Sequence, residues 1–534
     1  MDVEIAVMLF IVASTLAMTY FLLSRTVQTH PLQYPPGPAG AAMPDQNPWS
    51  QYRVWGKEYG HLIYFRDRNA LIINDLEAAV DLLEKRARIY SDREEWNGRI
   101  QFHIRGRSSN FLQALLSSMT SVQRYSDTWR MRRKTFLQSF RRASASQFHS
   151  AQRKQIQKFL RRMVTEPSRN MQHVMTRIDI LDDTYSLKHR IRALYLILNR
   201  MMIWSHIVEG SFDYILSPRI SALLGRYPWL QYLPSWFPGC GFKKIAEQVR
   251  KGLGEAATNP FDLAVKNLVG VDLLYPTRRP NNIFHNQKTG SKTSLVAELV
   301  IQKEGRREEI EAIKAMGLVG AIAGADTTGS SFSSFLLAMV KHPGVQARGQ
   351  EEIDDVIGQE RLPTFEDRKF LPYVESIYRE VMRMYPPAPL GVPHVSTEDD
   401  FYNGYYIPKG CIVSANIWAM NRDPSLYPDP DTFRPERFYD APKGPFSSIN
   451  DISAFGFGRR VCPGRYMAED SVWLTIASVL ATLTIGKAKN EEGNEIELSG
   501  EFTPGPFFSH PKPYRCAAVP RSPRAKALVF SAYE

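Results

Sequence analysis

Near its carboxyl end the chain reads Phe455-Gly-Phe-Gly-Arg-Arg-Val-Cys-Pro-Gly464, which fits the pattern F-x-x-G-x-R-x-C-x-G. The largely apolar run 466–483 predicts a helix just after this stretch, and the partial positive charge at a helix N-terminus favours a thiolate. Glycines allow a flat group to approach the backbone closely and direct N–H groups at sulfur. We therefore interpret Cys462 as a metal ligand, Phe455 as part of its site, and Arg460 as a partner for an acidic group of the cofactor.

The competing interpretation is a turn that carries a buried, inert cysteine, and an isolated cysteine near glycines would favour it. Five specified positions at fixed spacing favour the ligand instead. The other cysteines, Cys240, Cys411 and Cys516, lie far apart and form no C-x-x-C pair. This spacing argues against a disulfide framework and against a structural zinc site.

The composition indicates an ordinary globular protein with enough apolar material for a large core. Of the 534 residues, 43% are hydrophobic and 23% are charged, and the formal net charge is +12. The basic residues are spread along the chain and we find no nucleic-acid motif, so we expect no nucleic-acid partner. An acidic protein partner or an anionic membrane surface suits this charge better.

The amino-terminal residues 5–23 form an uncharged, mostly apolar run, which as a helix spans about 28 Å, close to the hydrocarbon thickness of a bilayer. Acidic residues precede the run and basic residues follow it, so the positive-inside rule places the rest of the chain in the cytosol. A cleaved signal peptide is the alternative, but its basic start and cleavage site are missing. We expect a membrane anchor at 1–24, a proline-rich hinge at 25–48 and a catalytic domain at 49–534.

The segment after the hinge predicts a β-hairpin at 61–74, followed by a helix that Asp75 caps. Further on, a helix over 125–140 would place Trp129 and Arg133 one turn apart on the same face. The indole N–H and the guanidinium could then reach one carboxylate of a cofactor. The alternative is a solvated basic helix with one buried tryptophan.

The pattern over 306–341 predicts a long helix with Ala323-Gly-Ala-Asp-Thr-Thr328 in its middle. Small residues such as Ala323 allow a flat ring to lie against the helix. Asp326 and Thr327 are disfavoured in mid-helix, which suggests a local opening for dioxygen and a path for protons. The alternative is a packed helix whose threonines bond back to the preceding turn.

Two downstream motifs predict a network of charged side chains. A helix over 371–385 places Glu380 and Arg383 three residues apart, so the two side chains face each other. Arg437, from the stretch 433–438, could join them. We assign this network to folding and to support of the cysteine loop, with no part in catalysis.

Between these motifs, the run 386–394 predicts an extended apolar strand, with Leu390 and Val392 as candidates for a substrate wall. The stretch 405–416 predicts a hairpin in which Cys411 serves packing.

Taken in order, the 323–328 hexapeptide, the E-x-x-R pair, the P-E-R-F stretch and the cysteine loop resemble the cytochrome P-450 superfamily, the haem-thiolate monooxygenases. The chain is similar to fungal enzymes of secondary metabolism of the O-methylsterigmatocystin oxidoreductase type, and to the tryptamine 4-hydroxylase of psilocybin-producing mushrooms. The resemblance implies a mainly α fold with a smaller β portion, in which a helical bundle surrounds haem beside small β-sheets. One N-terminal transmembrane helix would precede this fold.

The same resemblance implies roles for the candidate residues. Thr327 would hydrogen-bond dioxygen and Asp326 would help to deliver protons. Trp129, Arg133 and His394 would contact the haem propionates, as expected for Arg460 from the cysteine loop.

Haem b would be the cofactor, with O2 and electrons from NADPH as co-substrates and an NADPH-cytochrome reductase as redox partner. The substrate would be a lipophilic small molecule, with a terpenoid as first expectation, in a pocket lined by Ala323, Leu390, Val392 and Phe507. The enzyme would be monomeric and held in the endoplasmic reticulum membrane by a single span, with its catalytic domain in the cytosol.

Two departures from the family keep a second hypothesis open: a haem-binding protein without catalytic activity, or the product of a mistaken gene prediction. The hinge is shorter than the family's between residues 40 and 43, and the region 182–290 contains stretches that match the family poorly. A third hypothesis, a haem-thiolate isomerase or peroxide-using enzyme, is disfavoured by Asp326 and Thr327, because such reactions need no proton relay for dioxygen.

Overall fold

The computed structural model describes residues 32–41, 43–44, 46–93, 121, 123–166, 307–439, 452–503 and 508–531, with isolated positions and short pieces between 229 and 300. The expected anchor at 1–24, most of the region 182–290 and Phe507 lie outside the described residues. Within the ranges given, no helix has both the length and the hydropathy needed to span a membrane.

The described part of the chain is mainly helical, with short strands between the helices. Its α-helices are α1 (Pro48–Tyr59), α2 (Leu76–Ala79), α3 (Ala87–Tyr90), α4 (Asp127–Phe140), α5 (Arg142–Ala145), α6 (His149–Thr165), α7 (Arg307–Lys341), α8 (Pro343–Val356), α9 (Pro372–Met384), α10 (Ile417–Met420), α11 (Glu436–Tyr439), α12 (Arg465–Thr482) and α13 (Pro523–Phe530). Its strands are β1 (Leu62–Phe65), β2 (Ala70–Ile73), β3 (His394–Val395), β4 (Asp400–Tyr402), β5 (Tyr405–Ile407), β6 (Ile412–Ala415), β7 (Leu483–Lys487) and β8 (Cys516–Pro520). A π-helical segment, Val80–Lys85, continues α2.

The largest sheet has the strand order β1-β2-β6-β3 and joins the amino-terminal region to the carboxyl-terminal half. β1 and β2 form the predicted hairpin, in which Leu62 pairs with Ile73. The expected cap of α2 is also confirmed, because the Asp75 carboxylate accepts a hydrogen bond of 2.7 Å from the Ala78 N–H. β6 then runs parallel to β2 and antiparallel to β3, which brings the segment after α9 beside the first hairpin.

Two predicted β-elements are wrong. The hairpin at 405–416 does not form, because β5 pairs with β4 in a separate two-stranded sheet while β6 pairs with β2. The run 386–394 is not a strand, and its last residue alone enters β3. Four of its nine residues are prolines, which cannot donate to a ladder of backbone hydrogen bonds. Cys411 is fully buried in an apolar cluster, as its predicted packing role requires.

The main core lies where α7, α9 and α12 pack against one another. In α12, Leu474, Ile476 and Val479 are fully buried, and the helix is apolar on most of its circumference. Such a helix is typical of the centre of a large fold. The cysteine loop directly precedes α12, so the position of Cys462 is set by one of the most deeply packed elements.

The described part of the hinge is bonded to the sheets. The Tyr64 N–H donates to the Pro36 carbonyl at 2.9 Å, and the Tyr406 N–H donates to the Gln33 carbonyl at 2.7 Å. A Cβ atom at Gly37 would lie 2.2 Å from the Tyr64 carbonyl oxygen, so this close approach requires glycine. The hinge is therefore fixed to the rest of the protein from residue 33 onward.

Candidate active site

The cysteine loop holds its backbone by local hydrogen bonds. A 3-10 turn, Gly458–Arg460, leads into it, and the Cys462 N–H donates to the Phe455 carbonyl at 2.9 Å. Cys462 is half-buried, three residues before the first residue of α12. Burial raises the pKa of the Cys462 thiol, while a hydrogen bond from the Gly464 backbone and the charge of Arg133 act in the opposite direction. A bound metal would remove the thiol proton outright.

Gly458 is the first glycine of the cysteine-loop pattern, and the close approach that requires glycine there is not the expected approach of a flat cofactor. Its φ is +53°, and a Cβ atom there would lie 2.2 Å from the Leu83 carbonyl oxygen. Its N–H donates to the Glu84 carboxylate at 3.2 Å. The close approach that requires glycine at this position is thus to the π-helical segment of the protein itself.

The structure brings the predicted cofactor residues of α4 and the cysteine loop together. The Trp129 ring is 3% exposed, and the guanidinium carbons of Arg460 and Arg133 lie 4.0 Å and 5.5 Å from its centre. Arg133 also donates to the carbonyl of Val461, next to the cysteine. The predicted pair on α4 is therefore in direct contact with the cysteine loop. Both interpretations expect the buried Trp129, but the bond of Arg133 to the loop goes beyond the solvated basic helix of the alternative.

Arg93 is a buried member of this cluster that the sequence analysis missed. Its guanidinium donates to the carbonyls of Val392 at 2.7 Å and Pro393 at 2.6 Å. Burial, reinforced by the charges of Arg460 and Arg133, holds the pKa of Arg93 well below its usual range. No local pattern marks Arg93, because its position depends on contacts with residues about 300 positions away.

Burial also lowers the pKa of Arg460 to about 9, and the charge of Arg133 adds to the shift. Asp92 offsets part of this repulsion for both Arg93 and Arg460. Three guanidiniums that disfavour one another in a buried space form a site that an anion with two carboxylates would stabilise.

His394 lies in the same region, at the start of β3. Its Nδ1 donates a hydrogen bond of 2.6 Å to the Tyr90 carbonyl. Burial, followed by the charge of Arg93, holds the pKa of His394 well below its usual range. With the proton on Nδ1, the ring can donate from Nε2 to a carboxylate only after it gains a second proton, and the carboxylate's charge would favour that gain.

The long helix α7 runs without interruption through residues 323–328, so the predicted local opening is wrong. The Thr327 hydroxyl donates to the Ala323 carbonyl at 2.7 Å, which is the back-bonding of the alternative interpretation. Because a threonine hydroxyl can share the acceptor of the preceding turn, the helix does not need to open to satisfy it.

Asp326 forms a contact that the sequence analysis did not foresee. Its carboxylate lies 2.9 Å from Nε2 of His510, in the loop that precedes β8. Of the predicted pocket residues, Ala323 is exposed and Val392 is half-buried. Leu390 packs against the buried cluster of the first sheet.

The predicted charge network forms, with Glu380 and Arg383 fully buried and Arg437 half-buried. Arg383 makes two hydrogen bonds to the Glu380 carboxylate, at 2.7 Å and 2.8 Å, and Arg437 makes a third at 3.2 Å. Arg383 also donates to the carbonyls of Asn421 and Pro430. α9 in turn contacts the 3-10 turn Ser453–Phe455, so the network borders the start of the cysteine loop.

These residues fit a haem better than a free metal ion. In the described part of the chain, no group of three or more His, Cys, Asp and Glu side chains is arranged to hold a metal. Cys462 offers a thiolate, which is one of the axial ligands of haem iron in proteins, and the guanidinium cluster near it suits the two propionates of the porphyrin. The iron and the propionates of a haem would therefore both have partners in and around the cysteine loop.

Comparison with known proteins gives the family. The model of the cytochrome P-450 family matches residues 274–515. The chain is 32% identical to the cytochrome P-450 monooxygenase COX1 of Coprinopsis cinerea, in an alignment that covers 97% of this chain and 98% of that protein. The chain belongs to the cytochrome P-450 family. This P-450 is also 35% identical to the monooxygenase claR of Ampulloclitocybe clavipes, over 96% of this chain and 90% of the relative.

A third relative is the tryptamine 4-monooxygenase of Psilocybe cyanescens, 31% identical over 94% of this chain and 96% of that protein. The expected likeness to the mushroom tryptamine enzyme is thereby confirmed. A zebra fish cytochrome P-450 solved with progesterone is 20% identical and superimposes with a TM-score of 0.64, over 89% of this chain and 99% of the other. This P-450 therefore has the fold that the motifs predicted, and as a P-450 monooxygenase it is an oxidoreductase.

Proposed function

We propose that this P-450 is a membrane-anchored enzyme of fungal secondary metabolism that inserts one oxygen atom from O2 into a lipophilic small molecule, with a terpenoid as our first expectation. When bound, haem b supplies the activation of O2: one oxygen atom enters a C–H bond, the other leaves as water, and two electrons and two protons are consumed. The observation that carries the proposal is Cys462 just before α12, with the guanidinium of Arg460 from the same loop and that of Arg133 from α4 near it.

Binding of the cofactor follows from these residues. Cys462 would ligate the iron as a thiolate, because a bound metal displaces the thiol proton. Burial raises the pKa of the thiol, and the Gly464 N–H and nearby positive charge offset part of that rise. Arg93 and Arg460, which burial and mutual repulsion destabilise, would gain most from the propionates. Trp129 and Arg133 would support them from α4, with His394 as a further contact and Phe455 at the start of the loop.

Proton delivery is the task we assign to the middle of α7. Asp326 would deliver protons for the reduction of O2, and Thr327 could turn its hydroxyl from the Ala323 carbonyl to accept and donate hydrogen bonds along that proton path. A carboxylate and a hydroxyl in adjacent positions suit this transfer. Ala323, Leu390, Val392 and Phe507 remain our candidates for the substrate pocket.

Electrons would come from NADPH through an NADPH-cytochrome reductase. α4 and the turn after it expose a group of basic residues that suits an acidic partner: Arg130, Lys134, Arg141 and Arg142. We propose that residues 1–24 anchor the enzyme in the endoplasmic reticulum membrane, that 25–48 form the hinge and that 49–534 form a monomeric catalytic domain on the cytosolic side. The hydrogen bonds of the hinge to β1 and β5 would hold that domain at a set orientation relative to the membrane.

The testing experiment is a reduced, carbon-monoxide difference spectrum on membranes that contain the full chain. A red-shifted Soret band that is lost in Cys462→Ser would support thiolate ligation. A band at the unshifted position would contradict it. A red-shifted band without NADPH-dependent product, in membranes that also contain the reductase, would favour the inactive haem protein instead.

The substrate class needs a separate screen. Lipophilic compounds, terpenoids included, are titrated against the ferric enzyme, and spectral shifts report binding near the iron. Binding confined to ionic, polar compounds would contradict the proposed substrate class.

A further inference from the structure

Asp326 and His510 form a pair between two distant parts of the chain. The carboxylate on α7 lies 2.9 Å from Nε2 of the imidazole, and the two side chains are 8% and 14% exposed. The proposed function uses Asp326 for proton delivery but gives no task to its partner.

The backbone around His510 is held in place by hydrogen bonds on both sides. The Ser330 hydroxyl of α7 donates to the Ser509 carbonyl at 2.6 Å, and the Ser509 N–H donates to the Pro387 carbonyl at 2.9 Å. The His510 N–H donates to the Thr503 hydroxyl at 3.1 Å, and the Thr503 N–H donates to the His510 carbonyl at 2.7 Å. The loop thus presents the imidazole to α7 from a fixed backbone.

An aspartate in a continuous helix can adopt several rotamers unless a partner selects one. The N–H of an imidazole selects one by a hydrogen bond to the carboxylate, and the low exposure of both groups strengthens that bond. A proton donor that lies about 1 Å from its productive position can lose about a hundredfold in rate.

From this contact we infer that His510 is a positioning residue for proton delivery, which holds the Asp326 carboxylate in the orientation that proton transfer needs. The inference rests on the proposed role of Asp326. The inference gives the loop around 508–510 a function that does not depend on contact with substrate. The loop and α7 together fix the position of the Asp326 carboxylate.

The first test compares His510→Gln with His510→Phe. Glutamine keeps an N–H donor that can bond Asp326, whereas phenylalanine keeps the ring shape and loses the donor. We expect His510→Phe to form roughly tenfold less product per NADPH, with hydrogen peroxide in its place, and His510→Gln to recover most of the coupling. Wild-type coupling in His510→Phe, or equal uncoupling in both variants, would overturn the inference.

His149→Phe is the matched control, because His149 also pairs with a carboxylate, Asp470 at 3.1 Å, between α6 and α12. We expect it to leave coupling unchanged. All variants must first show the red-shifted carbon-monoxide band, so a failure of haem binding is separated from a failure of positioning. Absence of product from the wild-type enzyme would count against the proposed function instead.

A second test detects the hydrogen bond between His510 and Asp326 directly, without enzymatic turnover. In the ferric protein with ring-¹⁵N histidine, the His510 signal is assigned by its loss in His510→Gln. We expect Asp326→Asn to shift that Nε2 signal, because the charged acceptor of its proton becomes a neutral amide. An unshifted signal would show that the pair is not formed.

Discussion

The guanidinium carbon of Arg460 lies 4.0 Å from the centre of the Trp129 ring, which joins the cysteine loop to helix α4. The contact links two motifs that are separated by more than 300 residues in the chain. A cation over an indole face is attracted by the ring's quadrupole, and burial strengthens the attraction. The contact therefore brings the two motifs together, with the guanidiniums of Arg460 and Arg133 beside the same buried ring.

Removal of the Arg460 guanidinium is expected to weaken haem binding. In Arg460→Ala the buried cluster loses one cation that would face a propionate, and we expect about tenfold faster haem loss to excess apomyoglobin. Arg459→Ala is the matched control, since the Arg459 side chain is exposed and donates to the Tyr125 hydroxyl. Equal haem loss in both variants would argue against a propionate role for Arg460.

Glu380→Gln is expected to destabilise the fold strongly. The change leaves two buried guanidiniums, Arg383 and Arg437, without their negative partner, which costs about 3–5 kcal/mol. Urea unfolding followed by tryptophan fluorescence measures the loss. The exposed pair of Asp127 and Arg130 has the same i,i+3 spacing, so Asp127→Asn is the control and should cost at most about 1 kcal/mol. Similar losses in the two variants would contradict the assigned structural role of the buried network.

Gly458→Ala is expected to displace the cysteine loop. The added methyl group would meet the Leu83 carbonyl at 2.2 Å, and the φ of +53° is unfavourable for alanine. We expect part of the red-shifted carbon-monoxide band to move to the unshifted position. Gly344→Ala is the control, because no heavy atom lies within 4 Å of its Cβ position. An unchanged spectrum in Gly458→Ala would contradict the prediction, because it would show that the loop accommodates the methyl group and keeps thiolate ligation.

Thr327→Ala is expected to uncouple electron transfer from product formation. Without the hydroxyl, the chain would lose the hydrogen bond to dioxygen that we propose for Thr327, and product per NADPH should fall by about tenfold or more. Thr327→Ser keeps the hydroxyl and should retain coupling. Hydrogen peroxide and product are measured together in reductase-supplemented membranes. Undiminished, tightly coupled turnover in Thr327→Ala would refute the assigned role.

Stability at alkaline pH is expected to depend on Cys411. Burial raises the pKa of its thiol from 9.0 to about 12, so the folded state keeps a proton that the unfolded state has lost. This contribution is fully present below pH 9 and declines as the pH rises toward 12. Between pH 9 and 10.5, the wild type should lose roughly 1.5 kcal/mol more unfolding free energy than Cys411→Ala. An equal loss of unfolding free energy in the two proteins over this pH range, measured by urea unfolding, would contradict the raised pKa of Cys411.

Local sequence was sufficient for the elements whose signals lie within one stretch. The cap at Asp75, the hairpin of β1 and β2, and the three-residue spacing of Glu380 and Arg383 follow from side chains close together in the chain. The two wrong β predictions, at 405–416 and 386–394, arose where the structure depends on which strand pairs with which and on whether the backbone can donate hydrogen bonds. The prediction at 405–416 failed because β6 pairs with β2 and β5 pairs with β4. The turn residues between β5 and β6 carry no information about this pairing.

By itself, the sequence determined the family and the order of the motifs, and it predicted Cys462 as the ligand, since each motif is a short run with fixed spacing. Only the tertiary structure decided that Arg93 joins the buried cations and that His510 meets Asp326. Both contacts join residues far apart in the chain, and neither leaves a periodic or local pattern. Packing of loops on helices places such side chains, and that placement depends on the whole fold.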